Sequence, residues 1–529
     1  MADNTQTHHL VKGAILLSLA GLFSKVLSAG YRIPLQNIAG DLGFYIYQQV
    51  YPILGMALTL SLYGFPVAIS KLVSEIEEEG QRLSLKSFYI PALTWLLGIC
   101  LSVFALGYVQ AGNIAAVMGD PKLTPSIRAA FFAFLLLPFT SLIRGIYQGQ
   151  NNMQPTAVSQ VIEQVLRVAL IIATAVYAVT SGHIYQIGIG ASAAAVLGSI
   201  GAAVFLGYSA RKDHLWSCSP WSNFSVSFPK TILFYGLFIC LNYMLLLLFQ
   251  MVDSLTLVPQ LTHTGISDVK AKVLKGVFDR GQPLVQLGTV LASSIALALI
   301  PSVTKRKFAE HKEEVQRYIF SAVKFSLLLA LGATIGLITL FPEVNTLFFQ
   351  DNKGTGALRL LMSVILFSSL AITLSSVLQG LGRVTHTAVL VLVGVFLKSI
   401  GNVFLIPHFG LYGAALSTVV AMVAVMAGNF FWLARYFPLT KWRTFPWSAA
   451  ILAAAGMAAV LQAVRQLEAY VPVGEDRIIL LIFTLALVAL GAFIYVVLLL
   501  TFGALTEREL EPLPKSRIWI RLLPKGRKT

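Results

Sequence analysis

Long apolar stretches separated by short polar ones dominate the chain. A helix needs about 20 apolar residues to cross the hydrocarbon core. On that criterion the pattern predicts fourteen spans, at about 13–36, 44–72, 87–109, 127–149, 156–180, 184–208, 229–257, 273–303, 318–341, 357–381, 384–406, 411–434, 446–464 and 477–503. The runs are long and do not alternate, unlike the strands of a membrane barrel. The expected fold class is an all-α polytopic membrane protein. The first run holds Lys25 and Arg32 and lacks a small-residue cleavage site behind a short apolar region. It is therefore expected to stay as a first span and not to be removed as a secretory signal.

Composition sharpens this picture. Hydrophobic residues make up 57% of the 529 and charged residues 12%, against roughly 25% charged in ordinary soluble chains. A mean hydropathy of +0.77 fits poorly with a water-facing surface, so a soluble enzyme, a secreted disulfide scaffold and a disordered tail are excluded. Three cysteines cannot build a disulfide framework, and Cys100 and Cys240 lie in apolar runs, where a small hydrophobe is the plain reading.

The net charge of +16 comes from 39 basic and 23 acidic residues. With the N-terminus inside, 23 of the basic residues fall in inner loops and tails, nine in outer loops and seven within spans. That asymmetry predicts both termini in the cytoplasm. Most of the excess is therefore topological. The tail Lys515–Lys528, with Trp519 among basic residues, reads as an inner-leaflet segment, with nucleic-acid binding a distant alternative.

An internal repeat appears at an offset of 231 residues. Tyr147-Gln-Gly149 and Thr156-Ala-Val158 align with Leu378-Gln-Gly380 and Thr387-Ala-Val389, and the same offset places Arg167 on Lys398 and Pro52 on Pro283. The expected organisation is an N-terminal six-helix half at 1–208, a cytoplasmic linker at 209–228 and a C-terminal six-helix half at 229–435. Two additional helices follow within 436–503, and a basic tail occupies 504–529. Both halves start from the same side, so they are parallel repeats about an axis along the membrane normal, an arrangement found in transporters.

Ionisable residues within spans cost several kcal/mol and usually face a cavity or a partner. Lys25 and Arg32 are seven apart and share a helical face. With the Asp279-Arg280 pair they are expected to line an electropositive cavity for a phosphate-bearing ligand, since arginine offers bidentate contacts. The competing reading for Arg32 and Arg280 is snorkelling to the outer headgroups. Glu163 and Arg167 have the i,i+4 spacing of an intrahelical pair. Arg144, near the inner end of its span, is expected to snorkel or to serve an inner gate, and Lys324 to be interfacial. Asp253, Lys398, Asn402 and Thr418 form a further candidate cluster, either a structural ion pair or a coupling site. There is no G-x-x-x-x-G-K-[ST] loop for ATP and no metal-ligand spacing, so neither cofactor nor metal is expected. The Asn223-Phe-Ser225 sequon falls in an inner loop and is a chance match.

Several phrases carry a resemblance: Gly21-Leu-Phe-Ser-Lys25 leading to Tyr31-Arg-Ile-Pro34, Gly64-Phe-Pro-Val-Ala-Ile-Ser-Lys71, Arg144-Gly-Ile-Tyr-Gln-Gly149, and Ile406-Pro-His-Phe-Gly-Leu-Tyr-Gly-Ala-Ala415. Over residues 10–505 the chain resembles the multidrug/oligosaccharidyl-lipid/polysaccharide exporter superfamily. Within it, the phrases are similar to the polysaccharide-biosynthesis group that includes stage V sporulation protein B and MurJ-type lipid II flippases. The resemblance implies a flippase for an undecaprenyl-pyrophosphate-linked sugar in the bacterial cytoplasmic membrane, with Lys25, Arg32 and Arg280 in a cationic cavity. Asp279 would orient Arg280, and the last two spans would hold the prenyl tail. It also implies membrane lipids, and cell-wall synthesis proteins, as partners. Some members bind sodium at positions matching Asp253, Lys398, Asn402 and Thr418, where Lys398 departs from the pattern by putting an ammonium in a ligand position. The alternatives are a drug/cation antiporter of the same fold, which would need an acidic site, and a non-transporting accessory of cell-wall synthesis.

Overall fold

The computed structural model describes residues 16–17, 19–80, 83, 85–215, 234–299, 310–436, 445–466, 477–505 and 507. The basic tail apart from Ala504, Leu505 and Glu507, the sequon, Cys218 and most of the 209–228 linker lie outside the described residues, as do Lys305, Arg306 and Lys307. Everything regular among the described residues is helical. In chain order the helices are α1 (19–30), α2 (Arg32–Thr59), α3 (Phe65–Glu78), α4 (Ile90–Val117), α5 (Thr124–Phe131), α6 (Ala133–Gly149), α7 (Gln154–Thr180), α8 (Gln186–Lys212), α9 (Gly236–Tyr243), α10 (Leu245–His263), α11 (Asp268–Asp279), α12 (Gly281–Leu299), α13 (Lys312–Thr339), α14 (Phe341–Phe349), α15 (Thr355–Met362), α16 (Val364–Gly380), α17 (Val384–Phe409), α18 (Leu411–Ala434), α19 (Trp447–Arg465) and α20 (Arg477–Thr501).

Twelve helical stretches among the described residues are long and apolar enough to cross a membrane, so the chain is a multi-pass membrane protein. The first, Leu19–Glu78, runs over 60 residues. At 1.5 Å per residue that is about 90 Å of helix, far beyond a hydrocarbon core of about 30 Å. Gly40 breaks it, with φ 66° and ψ −176°, a backbone state that glycine adopts at little steric cost. This break falls between the two spans expected at 13–36 and 44–72. The span expected at 273–303 is two helices, α11 and α12, meeting at Arg280.

The helices sort into two compact units, residues 1–279 with 398–410, and residues 280–397 with 411–529. In the first, α7 packs on α8, α3 on α6, and both α10 and α11 on α2. Gly145 and Gly149, four residues apart, set the approach of α6 to α3. A side-chain carbon on either would lie 2.5 Å from Ile69 or Val73. Small residues at this spacing let membrane helices pack by van der Waals contact where no hydrophobic force acts between them. In the second unit α12, α13, α16 and α18 pack in turn and α19 pairs with α20. Hydroxyl and amide contacts tie those helices together, Thr289 to Ser368 (2.7 Å), Thr373 to Ser326 (2.9 Å) and Asn429 to Ser375 (2.9 Å).

Candidate functional site

Lys25 and Arg32 lie either side of the α1–α2 junction in the first unit, in different surroundings. The Lys25 ammonium is 5.7 Å from the centre of the Tyr63 ring and keeps some accessible surface. Arg32 is fully buried, its guanidinium 3.9 Å from the Tyr51 ring centre. Burial corrects the headgroup reading: the start of α2 is enclosed by the Tyr31–Tyr47 hydroxyl contact and the Tyr47–Tyr51 ring contact, so the side chain has no route to a lipid surface. Among the described residues no carboxylate pairs with Arg32 and none of its three nitrogens makes a well-aligned hydrogen bond; tyrosine hydroxyls, that of Tyr31 among them, lie near it. A buried cation in that state is costly unless an acceptor arrives.

Asp279 and Arg280 do not hold one another. Asp279 accepts from Lys275, one turn earlier, at 2.6 Å, whereas Arg280 donates to Asp351 in the loop between α14 and α15, at 3.1 Å from Nη2. Adjacent residues on a helix point in different directions, so each finds its own partner. Arg280 also lies 5.3 Å from the Phe349 ring centre and is buried, not interfacial. Burial resists the Asp351 charge, but hydrogen bonds from Arg280 and from Lys353 outweigh it and hold the carboxyl well below the usual carboxylate range.

In the first unit Lys398 forms a buried ion pair with Asp253 at 2.7 Å. Asn402, one turn on, donates to the same Asp253 oxygen (3.0 Å) and to Thr256 (2.8 Å), which leaves Asp253 Oδ2 without a partner. Asp279 is close enough to interact electrostatically with both Asp253 and Arg32. The cluster around Asp253 and Asp279 thus contains three buried cations (Arg32, Lys275, Lys398) and two buried carboxylates, an excess of one positive charge. Thr418 belongs to the second unit, where its hydroxyl donates to the Ala414 carbonyl at 2.8 Å.

Glu163 bonds to a different arginine from the one its spacing suggests. Arg144 Nη2 donates to it at 2.8 Å, and Ser199 donates to its other oxygen at 2.8 Å. Arg144 is fully buried. It also donates to Ser159 (3.0 Å) and to the hydroxyl of Ser61 (2.8 Å), in a π-helical turn at Leu60–Gly64. Arg167 instead donates to Gln164. The i,i+4 pair is outcompeted because α6 delivers a guanidinium directly onto α7. A cavity beside this network is lined by Ser61, Glu163, Arg167 and Ser199 among apolar residues. Lys324, expected at the interface, is buried.

Sequence reasoning gave no role to Lys272 and Lys275, at the edge of the span expected at 273–303. Lys272 pairs with Asp120 at 3.2 Å and with Asp268 at 2.7 Å, and Asp120 also accepts from Tyr185 at 2.8 Å and Tyr45 at 3.3 Å. Burial and that bond to Asp120 push the Tyr185 hydroxyl well above its ordinary value. The i,i+4 spacings Asp268–Lys272 and Lys275–Asp279 were the available signal. Asp351 carried none, since it lies 71 residues from Arg280.

The family model described as polysaccharide biosynthesis protein matches residues 10–307. An uncharacterized membrane protein of Bacillus subtilis, YabM, is 39% identical over 516 residues, 96% of this chain and 95% of that protein. The lipid II flippase MurJ of the same organism is 26% identical over 81% of this chain and 83% of its own. Stage V sporulation protein B, also from Bacillus subtilis, is 24% identical over 95% of this chain and 97% of its own. Among solved structures, the lipid II flippase MurJ in an inward closed conformation superposes with TM-score 0.65 at 14% identity, covering 92% of this chain and 98% of that one. An inward-facing multidrug resistance MATE family transporter of the MOP superfamily gives 0.57 at 18% identity, over 80% of this chain and 96% of that one. At these identities the structures establish the shared fold.

Proposed function

The chain belongs to the polysaccharide biosynthesis protein family, and from that premise we propose that it is a flippase. It moves an undecaprenyl-pyrophosphate-linked sugar from the inner to the outer leaflet of the bacterial cytoplasmic membrane by alternating access, with both termini in the cytoplasm. The observation that carries this reading is Arg32: a buried guanidinium, stacked on Tyr51, with no carboxylate partner and no well-aligned acceptor among the described residues. A pyrophosphate supplies charge and bidentate acceptors of the kind such a group lacks. Lys25 serves the same ligand from one helix earlier, as a point charge. Arg280 is a further candidate contact that would first have to leave Asp351. The relative named as a lipid II flippase supports the substrate class.

The Lys398–Asp253 pair supports a coupling step without sodium, because the ammonium already neutralises the carboxylate at 2.7 Å. Membrane potential or protons would then supply the energy. A drug/cation antiporter is the weaker reading, since Lys25 and Arg32 repel organic cations. The test is reconstitution into proteoliposomes, following a labelled undecaprenyl-pyrophosphate-disaccharide and a labelled organic cation in parallel. Movement of the lipid alone is expected, and movement of the cation alone overturns the reading.

A further inference from the structure

Tyr63 and Tyr243 stack face to face in the first unit, ring centres 4.8 Å apart and planes 14° from parallel. Tyr63 belongs to the π-helical turn Leu60–Gly64, and Tyr243 ends α9. One face of each ring is used by the other, and Lys25 stands 5.7 Å from the Tyr63 centre. Tyr243 keeps 50% of its surface accessible, while Lys25 and Tyr63 are half-buried. An ammonium and two hydroxyls gathered at one stack suit a polar internal space better than a lipid-facing surface. Gly21 borders it as well. A side-chain carbon there would lie 3.6 Å from the Tyr63 hydroxyl and 3.9 Å from the Gln160 amide nitrogen. Among the described residues Lys25 has no ion-pair partner.

An exposed aromatic face beside hydroxyl and amide groups suits a pyranose ring, which offers a face of C–H bonds to a π-system and hydroxyls at its edge. An ammonium next to that face suits the phosphate to which such a ring is linked. Organic cations also favour aromatic faces, but Lys25 repels them, and an unsubstituted prenyl chain has no use for the polar groups. Resting on the lipid-linked-sugar reading above, we propose that the Tyr63–Tyr243 stack beside Lys25 is the platform for the first sugar of the transported lipid. The sugar lies on the free face of Tyr243, and Lys25 contacts the adjoining phosphate.

The experiment compares binding of two probes to the purified full-length protein, undecaprenyl pyrophosphate bearing a disaccharide and undecaprenyl pyrophosphate alone. Wild type is expected to prefer the sugar-bearing lipid. Tyr243→Leu lowers affinity for that lipid by about five- to tenfold, the scale of a lost aromatic contact, and leaves the sugar-free lipid unchanged. Tyr243→Phe behaves as wild type, and Lys25→Gln weakens both probes. Tyr63→Leu gives the same reading as Tyr243→Leu should the latter fail to fold. Equal weakening of both lipids by the leucine variants, or no change with either, overturns the platform. Wild type binding both lipids alike overturns the platform alone, and binding neither overturns the flippase reading with it.

Discussion

Replacing Arg144 with methionine tests whether the buried network of the first unit holds that unit together. The Arg144–Glu163 contact is 2.8 Å, with the two side chains 0% and 4% accessible. At an effective dielectric of about 20, unit charges at that separation attract by about 6 kcal/mol, against a desolvation cost of several kcal/mol per ion. The intact pair is therefore close to balanced, but removing the arginine leaves the Glu163 carboxylate buried with Ser199 donating at 2.8 Å and the Arg167 charge nearby but bonded to Gln164. The expected loss is about 3–5 kcal/mol. Glu163→Gln should cost less, because Arg144 retains Ser159 and Ser61. The double variant should recover part of the loss, giving a coupling energy of about 1–3 kcal/mol in a double-mutant cycle. Denaturant unfolding in detergent micelles measures all four proteins. A cost below about 1 kcal/mol for Arg144→Met, or additive single effects, would refute the reasoning.

Replacing sodium by choline in the translocation assay should leave the rate unchanged, whereas strict sodium dependence that Asp253→Ala abolishes would sink the role given to Lys398. Ionised Asp351 contributes stability that is present above its ordinary pKa of 3.8 and lost as pH falls below it. Acid unfolding profiles of Asp351→Asn should therefore lack that part of the wild-type decline. Gly276→Ala places a carbon 2.1 Å from the Asp41 backbone oxygen, so α11 cannot keep its seat on α2, and a lowered melting temperature is expected. A wild-type melting curve in that variant would mean that the two helices separate without cost.

The spans were legible because apolar runs of membrane length have few alternative fates, and the family was legible from local phrases such as Arg144-Gly-Ile-Tyr-Gln-Gly149. That phrase proves to be partly a packing device, its two glycines seating α6 on α3. Ion-pair partners were harder. Asp253 and Lys398 could be matched because few carboxylates lie deep in those spans, but Glu163 was given to Arg167 when a closer guanidinium comes from another helix. Spacing rules see only neighbours along one helix, and Arg280 with Asp351 lies beyond them. Lys272 and Lys275 were hidden for a different reason: paired charges lower local hydropathy, so the first turn of α11 falls outside the expected span. The aromatic surroundings of Lys25 and Arg32 involve Tyr63 and Tyr51 from later turns, which only the folded chain brings near.

In the proposed function Arg32, a buried cation without a carboxylate partner among the described residues, receives the phosphate of a lipid-linked sugar. Translocation of a fluorescent undecaprenyl-pyrophosphate-disaccharide by proteoliposomes carrying Arg32→Gln, matched to wild type for inserted protein and melting temperature, tests it most directly. Glutamine preserves polarity and much of the volume while removing the charge. Translocation is expected to fall to the level of protein-free vesicles, and wild-type rates in that variant would contradict the role given to Arg32.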